Sequence, residues 1–327
     1  MKKIIQKIKK AKYIGLLIHT KPDPDAIGSA SAFYFALKQK NKKVDIILEE
    51  KLPNNLQFFN IENIVYKIEE NKYDLLISLD CGSIRLLTKY AKTFETFENT
   101  ISLDHHSNRE KLGKIEYVDA TASSTAEILF SLFSKMKIKM TKEIATSLYA
   151  GLVGDTGRFL HDNTTAKVFE IASKLVKFGA NTNLINTKLF RSDSKEKISL
   201  LKLMLENLQI KNGVAISCLT LADYKKSHCI PSQSYELINT LQAMEEINIA
   251  IILNEIKPNL VNASLRSKQG FDVSIIAQNF NGGGHKQASG CREIAGSLEE
   301  IKTQILAFIS KHKKEIKIDW KRFNCFK

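Results

Sequence analysis

Four short runs rich in Ile, Leu and Val, at 13–19, 44–48, 75–80 and 101–104, alternate with helical patterns, clearest at 26–39 (AIGSASAFYFALKQ). Strands that are apolar along their whole length are buried on both faces. Their alternation with helices predicts βαβ units and a parallel sheet covered on both sides. Ligands of such sheets bind beyond the carboxyl ends of the strands. Three of the four runs end on His19, Asp80 and Asp104, so the pattern predicts that these residues meet in one crevice.

Beyond the last run the pattern turns helical, at 124–136, 141–153 and 165–178. Gly154-Asp155-Thr156-Gly157 closes the second of these helices and Gly179 reads as the C-cap of the third. The stretch 181–207 has no strand signal, and its RSDSKEK segment suggests an exposed helical connector. From about 211 a second α/β unit begins. It has strands expected at 214–220, 249–255 and 261–266 and helices at 235–244, 273–280 and 298–311. The expected division is a metal-binding domain at 1–185, a helical linker at 186–208, a smaller α/β domain at 209–316 and a basic tail at 317–327.

Composition narrows the class. No apolar run approaches the ~18–20 residues of a membrane helix. The lysine-rich start resembles a signal peptide, but its apolar stretch at 13–18 is too short and no small-residue cleavage site follows. The five cysteines are scattered, odd in number and lack a C-x-x-C pair, which argues against a zinc or disulfide framework. A cytoplasmic protein is expected. The formal charge of +14 favours polyanionic partners, although a lysine-rich proteome would produce the same excess.

Four acidic or histidine-bearing islands carry the chemistry: His19-x-x-x-Asp23-x-Asp25, Asp80, Asp104-His105-His106 and Asp155. Pro22 and Pro24 hold the first island out of helix, so the carboxylates of Asp23 and Asp25 diverge and can serve two different ions. Asp80, at its strand end, is the natural shared ligand. His19, Asp23 and Asp80 would then hold one ion, and Asp25, Asp80, His105 and Asp155 the other. Two divalent ions roughly 3.5–4 Å apart clamp a phosphate for in-line attack by an activated water. Carboxylates and imidazoles without thiolate suit Mn²⁺ best, with Mg²⁺, Co²⁺ or Zn²⁺ as alternatives. His106 need not be a ligand; beside the ions it can donate a hydrogen bond to a phosphate oxygen. Asp25, Asp80 and His106 are the residues expected to carry catalysis. Each island alone is ordinary: Asp-Pro-Asp is turn material, and a strand-terminal Asp often caps a helix. The conjunction in order, with three islands at strand ends, points to metal.

A second cluster lies near 266–290. Gly282-Gly283-Gly284-His285-Lys286 lets the backbone approach a ligand closely and present its N–H groups. A helix opening after this loop would add an anion-favouring terminus. Arg266, closing the strand ASLRS, is a fork for phosphate or carboxylate. Arg266, Gly283, Gly284, His285 and Lys286, with His106, form the expected substrate-binding set.

The islands resemble the four motifs of the DHH phosphoesterase superfamily: HTKPDPDAIGSA, LISLDCGS, SLDHHSN and GLVGDTGRF. In that superfamily the matching positions bind two metal ions, usually manganese, in the allocation above, and the position of His106 contacts phosphate. The first motif departs from the usual N-P-D-G-D at Lys21 and Pro24. SLRS and VSIIAQNFNGGGHKQASG are similar to the DHHA1 domain, where the matching arginine and GGGH loop grip the nucleotide and phosphate of the substrate. The resemblance implies an active site in the cleft between the two domains.

The two-domain plan, without an added OB-fold or membrane segments, is similar to the nanoRNase A group, which degrades very short RNAs to mononucleotides and often dephosphorylates pAp. Short oligonucleotides or nucleoside phosphates are the expected partners; a homodimer stays open and no membrane partner is expected. The alternatives are a hydrolase of linear or cyclic dinucleotides (pApA, pGpG, c-di-AMP), a pAp phosphatase without oligoribonuclease activity, and a non-catalytic nucleotide sensor.

Overall fold

The computed structural model describes residues 1–69, 71–107 and 109–316. The basic tail expected at 317–327, with Trp320, Phe323 and Phe326, lies outside the described residues. The chain divides into two compact units between Ser192 and Asp193. No helix among the described residues is long and apolar enough to cross a membrane. Cys81, Cys218, Cys229 and Cys291 are free.

Unit 1 contains, in order, α1 (Lys2–Lys10), β1 (Tyr13–Ile18), α2 (Pro24–Lys38), β2 (Lys43–Ile47), β3 (Ile64–Val65), β4 (Leu75–Leu79), α3 (Ala91–Thr96), β5 (Thr100–Asp104), β6 (Ile115–Val118), α4 (Thr125–Lys135), α5 (Lys142–Asp155), α6 (Ala166–Lys177) and α7 (Thr182–Phe190). Its six strands are all parallel in the order β3-β2-β1-β4-β5-β6. The chain runs outward from β1 to β3, then returns to the other side of β1 with β4. The order therefore reverses between β1 and β4, the place where doubly wound sheets bind ligands. β4 and β5 are buried along their whole length, as the unbroken apolar runs require. The main core, between the sheet and helices α1, α2, α4 and α5, includes Ile8, Leu16, Phe33, Ile77, Phe133 and Leu148. A smaller core, with Tyr73, Tyr90, Phe94 and Leu112, covers the other face.

Local chemistry sets the helix starts. Asp23 caps α2, its Oδ1 accepting from the N–H of Asp25 at 3.0 Å and of Ala26 at 2.9 Å, with Pro24 in the first turn. Ser124 caps α4, accepting from Glu127 N, and Thr141 caps α5. α2 and α5 are buried almost all round. They approach closely because Gly28 has no side chain: a Cβ there would lie 2.6 Å from the Ser147 carbonyl oxygen. Gly151 on α5 faces Asp25, and a Cβ there would overlap its Oδ1.

Unit 2 contains α8 (Lys195–Glu206), β7 (Gln209–Lys211), β8 (Val214–Leu219), α9 (Leu221–Ser227), α10 (Ile238–Gln242), β9 (Ile249–Lys257), β10 (Leu260–Ser267), α11 (Ser274–Asn279), β11 (Gly283–His285), β12 (Ala288–Ala295) and α12 (Leu298–Lys311). Its sheet runs β11-β12-β10-β9-β8-β7, antiparallel except for β8 beside β9. The stretch expected as a connector, 186–208, holds the end of α7 and all of α8. α8 buries Leu200, Leu203 and Met204 in a core with Leu219, Tyr224 and Ile252. The opposite face packs on α11 and α12 through Ile251, Leu265, Ile276, Ile301 and Ile305.

Two expectations fail. The first island is not held out of helix, because Pro24 and Asp25 form the first turn of α2 behind the Asp23 cap, where proline's fixed φ and missing N–H are tolerated. No helix opens after the glycine loop: β11 turns through Lys286 and Gln287 into β12. Ser289 and Cys291 of β12 are buried while their neighbours are less so, the two-residue period of a strand. Gly284 permits this hairpin, with φ of 135° and a would-be Cβ 2.6 Å from the Ala288 carbonyl.

The α2–α5 contact yields a test. Gly28→Val should destabilise the protein by about 1–3 kcal/mol, because the added side chain meets backbone that cannot yield. Urea unfolding measures it, and an unchanged midpoint would contradict the close approach.

Candidate active site

All four islands converge at the carboxyl end of the unit 1 sheet. His19 follows β1, Asp80 follows β4, and Asp104 closes β5 ahead of His105 and His106. Asp23 and Asp25 open α2, and Asp155 is the last residue of α5. Three groups place ligand atoms within 4.8 Å of one another: His19, Asp23 and Asp80; Asp25, His105 and Asp155; and Asp80, His105 and His106.

Asp80 is the hub. Its backbone leaves β4 in the left-handed region at φ 55°, which a short polar residue tolerates better than most. The carboxylate is buried, and its two oxygens face opposite ways. Oδ2 lies 3.7 Å from His19 Nε2, and Oδ1 lies 3.5 Å from His105 Nε2. The Thr125 hydroxyl donates to Oδ1 at 3.0 Å. His19 Nε2 is also 3.7 Å from Asp23 Oδ2, and His105 Nε2 is 2.9 Å from Asp155 Oδ2.

The imidazoles are oriented from behind. His19 Nδ1 lies 2.8 Å from the Thr20 carbonyl and His105 Nδ1 lies 3.4 Å from that of Ala122, so both turn Nε2 inward. A backbone carbonyl on the far nitrogen is the usual support of a metal-binding histidine. His106 is held the other way round. Its Nδ1 is 2.7 Å from Asp104 Oδ1, and Nε2 has no partner among the described residues. The third group above therefore differs from the other two, because the His106 atom inside it is already committed to Asp104. Asp104 is fixed in turn by Arg109, whose Nε donates to Oδ2 at 3.0 Å and which also pairs with Glu116 at 2.8 Å.

Asp25 is fully buried and held by the start of α4. Its carboxylate accepts from Thr125 N at 2.6 Å, Ala126 N at 3.0 Å and the Ser29 hydroxyl at 3.2 Å. A helix N-terminus is a favourable place for negative charge. Three like charges nevertheless crowd the site. Burial, with the charge of Asp80, pushes Asp25 up to about 8. Burial, with Asp23 and Asp155, pushes Asp80 up to about 7, and burial, with Asp25, does the same to Asp155. Burial alone would lower the histidines, but the acids outweigh it. Asp23 and Asp80 carry His19 to about 9, and Asp155, Asp25 and Asp80 carry His105 to about 10. Asp104 goes the other way: burial would raise it, and the His106 hydrogen bond and charge hold it below the ordinary carboxylate range. The cluster holds protons where divalent cations would serve better. Hard oxygen and imidazole donors without thiolate fit such cations, so the residues present suit a metal.

Thr125 and Arg109 escaped the sequence reading as parts of the site, and Asp104 was placed in the crevice without a role. Thr125 sits beside a serine that is itself the helix cap, and nothing in the local pattern marks its hydroxyl as a partner for Asp80. Arg109 lies in a loop, and only the fold brings it to Asp104.

The second cluster is in unit 2. Arg266 on β10 pairs with Ala288 on β12, which pairs with His285 on β11. Directly opposed residues of antiparallel strands share a face, so Arg266 and His285 stand in one row across the hairpin. Among the described residues the Arg266 guanidinium donates only to the Leu265 carbonyl, at 3.0 Å, which leaves most of its fork for a ligand. Gly283, Gly284, His285 and Lys286 are exposed.

Compared with known proteins, residues 13–152 match the DHH family, N-terminal domain, and residues 212–311 match the DHHA1 domain. A probable bifunctional oligoribonuclease and PAP phosphatase NrnA from Streptococcus mutans is 30% identical, over 88% of this chain and 92% of its own. The bifunctional oligoribonuclease and PAP phosphatase NrnA of Bacillus subtilis is 26% identical, over 83% and 86% respectively. An exopolyphosphatase-related protein from Bacteroides fragilis has a similar crystal structure, with a TM-score of 0.89 at 26% identity and 97% of each chain covered.

The cluster predicts how stability depends on pH. An unfolded chain loses its aspartate protons near pH ~4 and its histidine protons near ~6.5. The folded chain keeps them on Asp80 and Asp155 to about 7, on Asp25 to about 8, on His19 to about 9 and on His105 to about 10. Through that window the folded state binds more protons, so metal-free stability falls as pH rises. Chelator-treated protein should melt at progressively lower temperature from about pH 6 to 9, and a divalent cation should counter the loss. A melting temperature that climbs with pH in chelator would contradict the cluster's electrostatics.

Proposed function

This chain belongs to the DHH family of phosphoester hydrolases, and we propose that it is a manganese-dependent enzyme that degrades very short oligonucleotides to mononucleotides and removes phosphate from pAp. The observation that carries this reading is Asp80, whose two buried oxygens each face a histidine turned inward by a backbone carbonyl. We assign His19, Asp23 and Asp80 to one ion, and Asp25, Asp80, His105 and Asp155 to a second. When bound, such ions lower the pKa of a water molecule toward neutrality and neutralise charge on the phosphate.

The chain's own residues supply the rest. Asp25 and Asp80 keep their ligand oxygens aimed because the N-terminal turn of α4 and the Thr125 hydroxyl hold the other lone pairs. His106, with Nδ1 on Asp104, presents Nε2 as a donor to a phosphate oxygen. Arg266, His285 and Lys286 supply donors for a second phosphate or nucleotide of the substrate. Point contacts to phosphate and backbone amides read charge and length more than base sequence, which supports short, sequence-tolerant substrates. The names of the relatives from S. mutans and B. subtilis support the choice of oligoribonucleotide and pAp within the family.

The deciding experiment is a panel assay with manganese on pAp, pApA, pGpG, cyclic dinucleotides, a short RNA and pyrophosphate. Release of mononucleotides from the RNA and of phosphate from pAp is expected. Cleavage of pyrophosphate alone would refute the assignment, and tight nucleotide binding without turnover would point to a sensor. Asp80→Ala should reduce turnover by at least about a thousandfold, since both ions lose a ligand, and near-normal manganese-dependent activity in that variant would overturn the two-ion allocation. Arg266→Ala should raise KM for a dinucleotide about tenfold while hardly changing hydrolysis of an artificial phosphate ester; equal losses on both would remove Arg266 from substrate binding.

A further inference from the structure

We propose that the end of unit 1 opposite the acidic cluster is a docking surface for the phosphate backbone of a double-stranded nucleic acid. The proposal stands on lysines alone and is independent of the reading of the cluster. Three segments, 1–12, 38–43 and 135–142, contain fourteen lysines and not one acidic residue. Setting these fourteen aside reduces the 49 lysines and arginines of the chain to 35, which its 35 aspartates and glutamates match. The three segments thus carry positive charge equal to the whole formal excess of +14, and the rest of the chain sums to zero.

The fold gathers the segments. The Lys42 ammonium donates to the carbonyls of Lys9 at 2.7 Å and Ala11 at 2.6 Å. Gln39 and Lys139 exchange hydrogen bonds at 2.8 and 3.2 Å, and Lys40 reaches the Lys137 carbonyl at 3.3 Å. Each segment also adjoins an element whose other end builds the acidic cluster. β1 begins at Tyr13 and leads to His19; α2 runs from the Asp23 cap to Lys38; α5 runs from Lys142 to Asp155. With 15 residues in α2 and 14 in α5, the lysine surface lies about 20 Å from the cluster. The lysines are therefore too far away to touch a dinucleotide held there. None of the fourteen makes an ion pair among the described residues. Asp74, the acid beside Lys12 and Lys42, is engaged by the backbone N–H groups of Lys12 and Tyr13 at 2.7 and 2.8 Å.

The chemistry selects the partner. The three segments contain no aromatic residue, so they offer no stacking platform for unpaired bases. Ile4 and Ile8, the apolar side of α1, are 1% exposed in the core, which leaves no apolar anchor for a lipid surface. What remains is a field of flexible point charges, suited to regularly spaced phosphates and indifferent to sequence.

The test uses the full chain in chelator, so that nothing is hydrolysed, and a labelled RNA duplex of two helical turns titrated over a range of salt concentrations. Lys9, Lys12, Lys137 and Lys139 are the residues to change to Gln, because their side chains are exposed and make no hydrogen bond or ion pair among the described residues. The quadruple variant should bind the duplex about ten- to a thousandfold more weakly at low salt. The slope of log K against log salt should shrink by about 3–4, since each phosphate contact contributes roughly 0.9. Its manganese-dependent activity on a dinucleotide should match that of the unaltered chain. An unchanged affinity and slope would overturn the proposal. So would preferential binding of single-stranded RNA, or binding of phosphatidylglycerol vesicles but not of the duplex.

Discussion

Buried like charge is the constraint on which the rest of unit 1 depends. Asp25, Asp80 and Asp155 stand close enough to raise one another's pKa, the first two of them buried, and an isolated buried carboxylate is expensive. The fold contains this cost by surrounding the acids with fixed donors. Two backbone N–H groups of α4 hold Asp25, the Thr125 hydroxyl holds Asp80, and His105 pairs with Asp155. α4 can serve Asp25 only because Gly151 leaves room beside its carboxylate, and α2 can lie that close to α5 only because Gly28 has no side chain. Packing of two helices and charge in the site are one problem with one solution.

The legible parts of this chain were those governed by unbroken patterns. Apolar runs gave the strand ends at His19, Asp80 and Asp104, and the helices 124–136, 141–153 and 298–311 appear within a residue or two of their expected bounds. Elements whose burial is partial were harder. α1 offers only Ile4 and Ile8 as buried residues amid five lysines, and β6 shows no buried residue at all, so neither stood out from loop. The β11–β12 hairpin was hidden for another reason. Three successive glycines suppress strand propensity and suggest a loop, yet β10 supplies a template on which the glycines become an advantage.

That hairpin changes the physical character of the second cluster. A helix N-terminus would have offered a dipole and a set of free amides to an anion. A strand pair offers spacing instead. Arg266, Ala288 and His285 stand in register across β10, β12 and β11, and the Ser267 hydroxyl and amide tie the turn down through the carbonyls of Lys286 and Gln287. Donors fixed at strand intervals favour a ligand with groups at matching distances, such as the phosphate and sugar of one nucleotide. The loss of the helix dipole is offset by the charges of Arg266 and Lys286.

The two adjacent histidines show how little of a role is written in residue type. His105 and His106 share a backbone turn and a ring-centroid separation of 4.8 Å. What divides them is the partner of Nδ1. A carbonyl behind His105 turns Nε2 in among Asp80 and Asp155, where a cation can take the place of its proton, whereas the carboxylate of Asp104 takes Nδ1 of His106 and leaves Nε2 as a hydrogen-bond donor. Arg109 sharpens the contrast by holding Asp104 charged, and Glu116 aligns Arg109 in turn. The distinction proposed between ligand and phosphate contact thus rests on partners two and three side chains away from the imidazole, residues in a loop and an edge strand that no local motif contains.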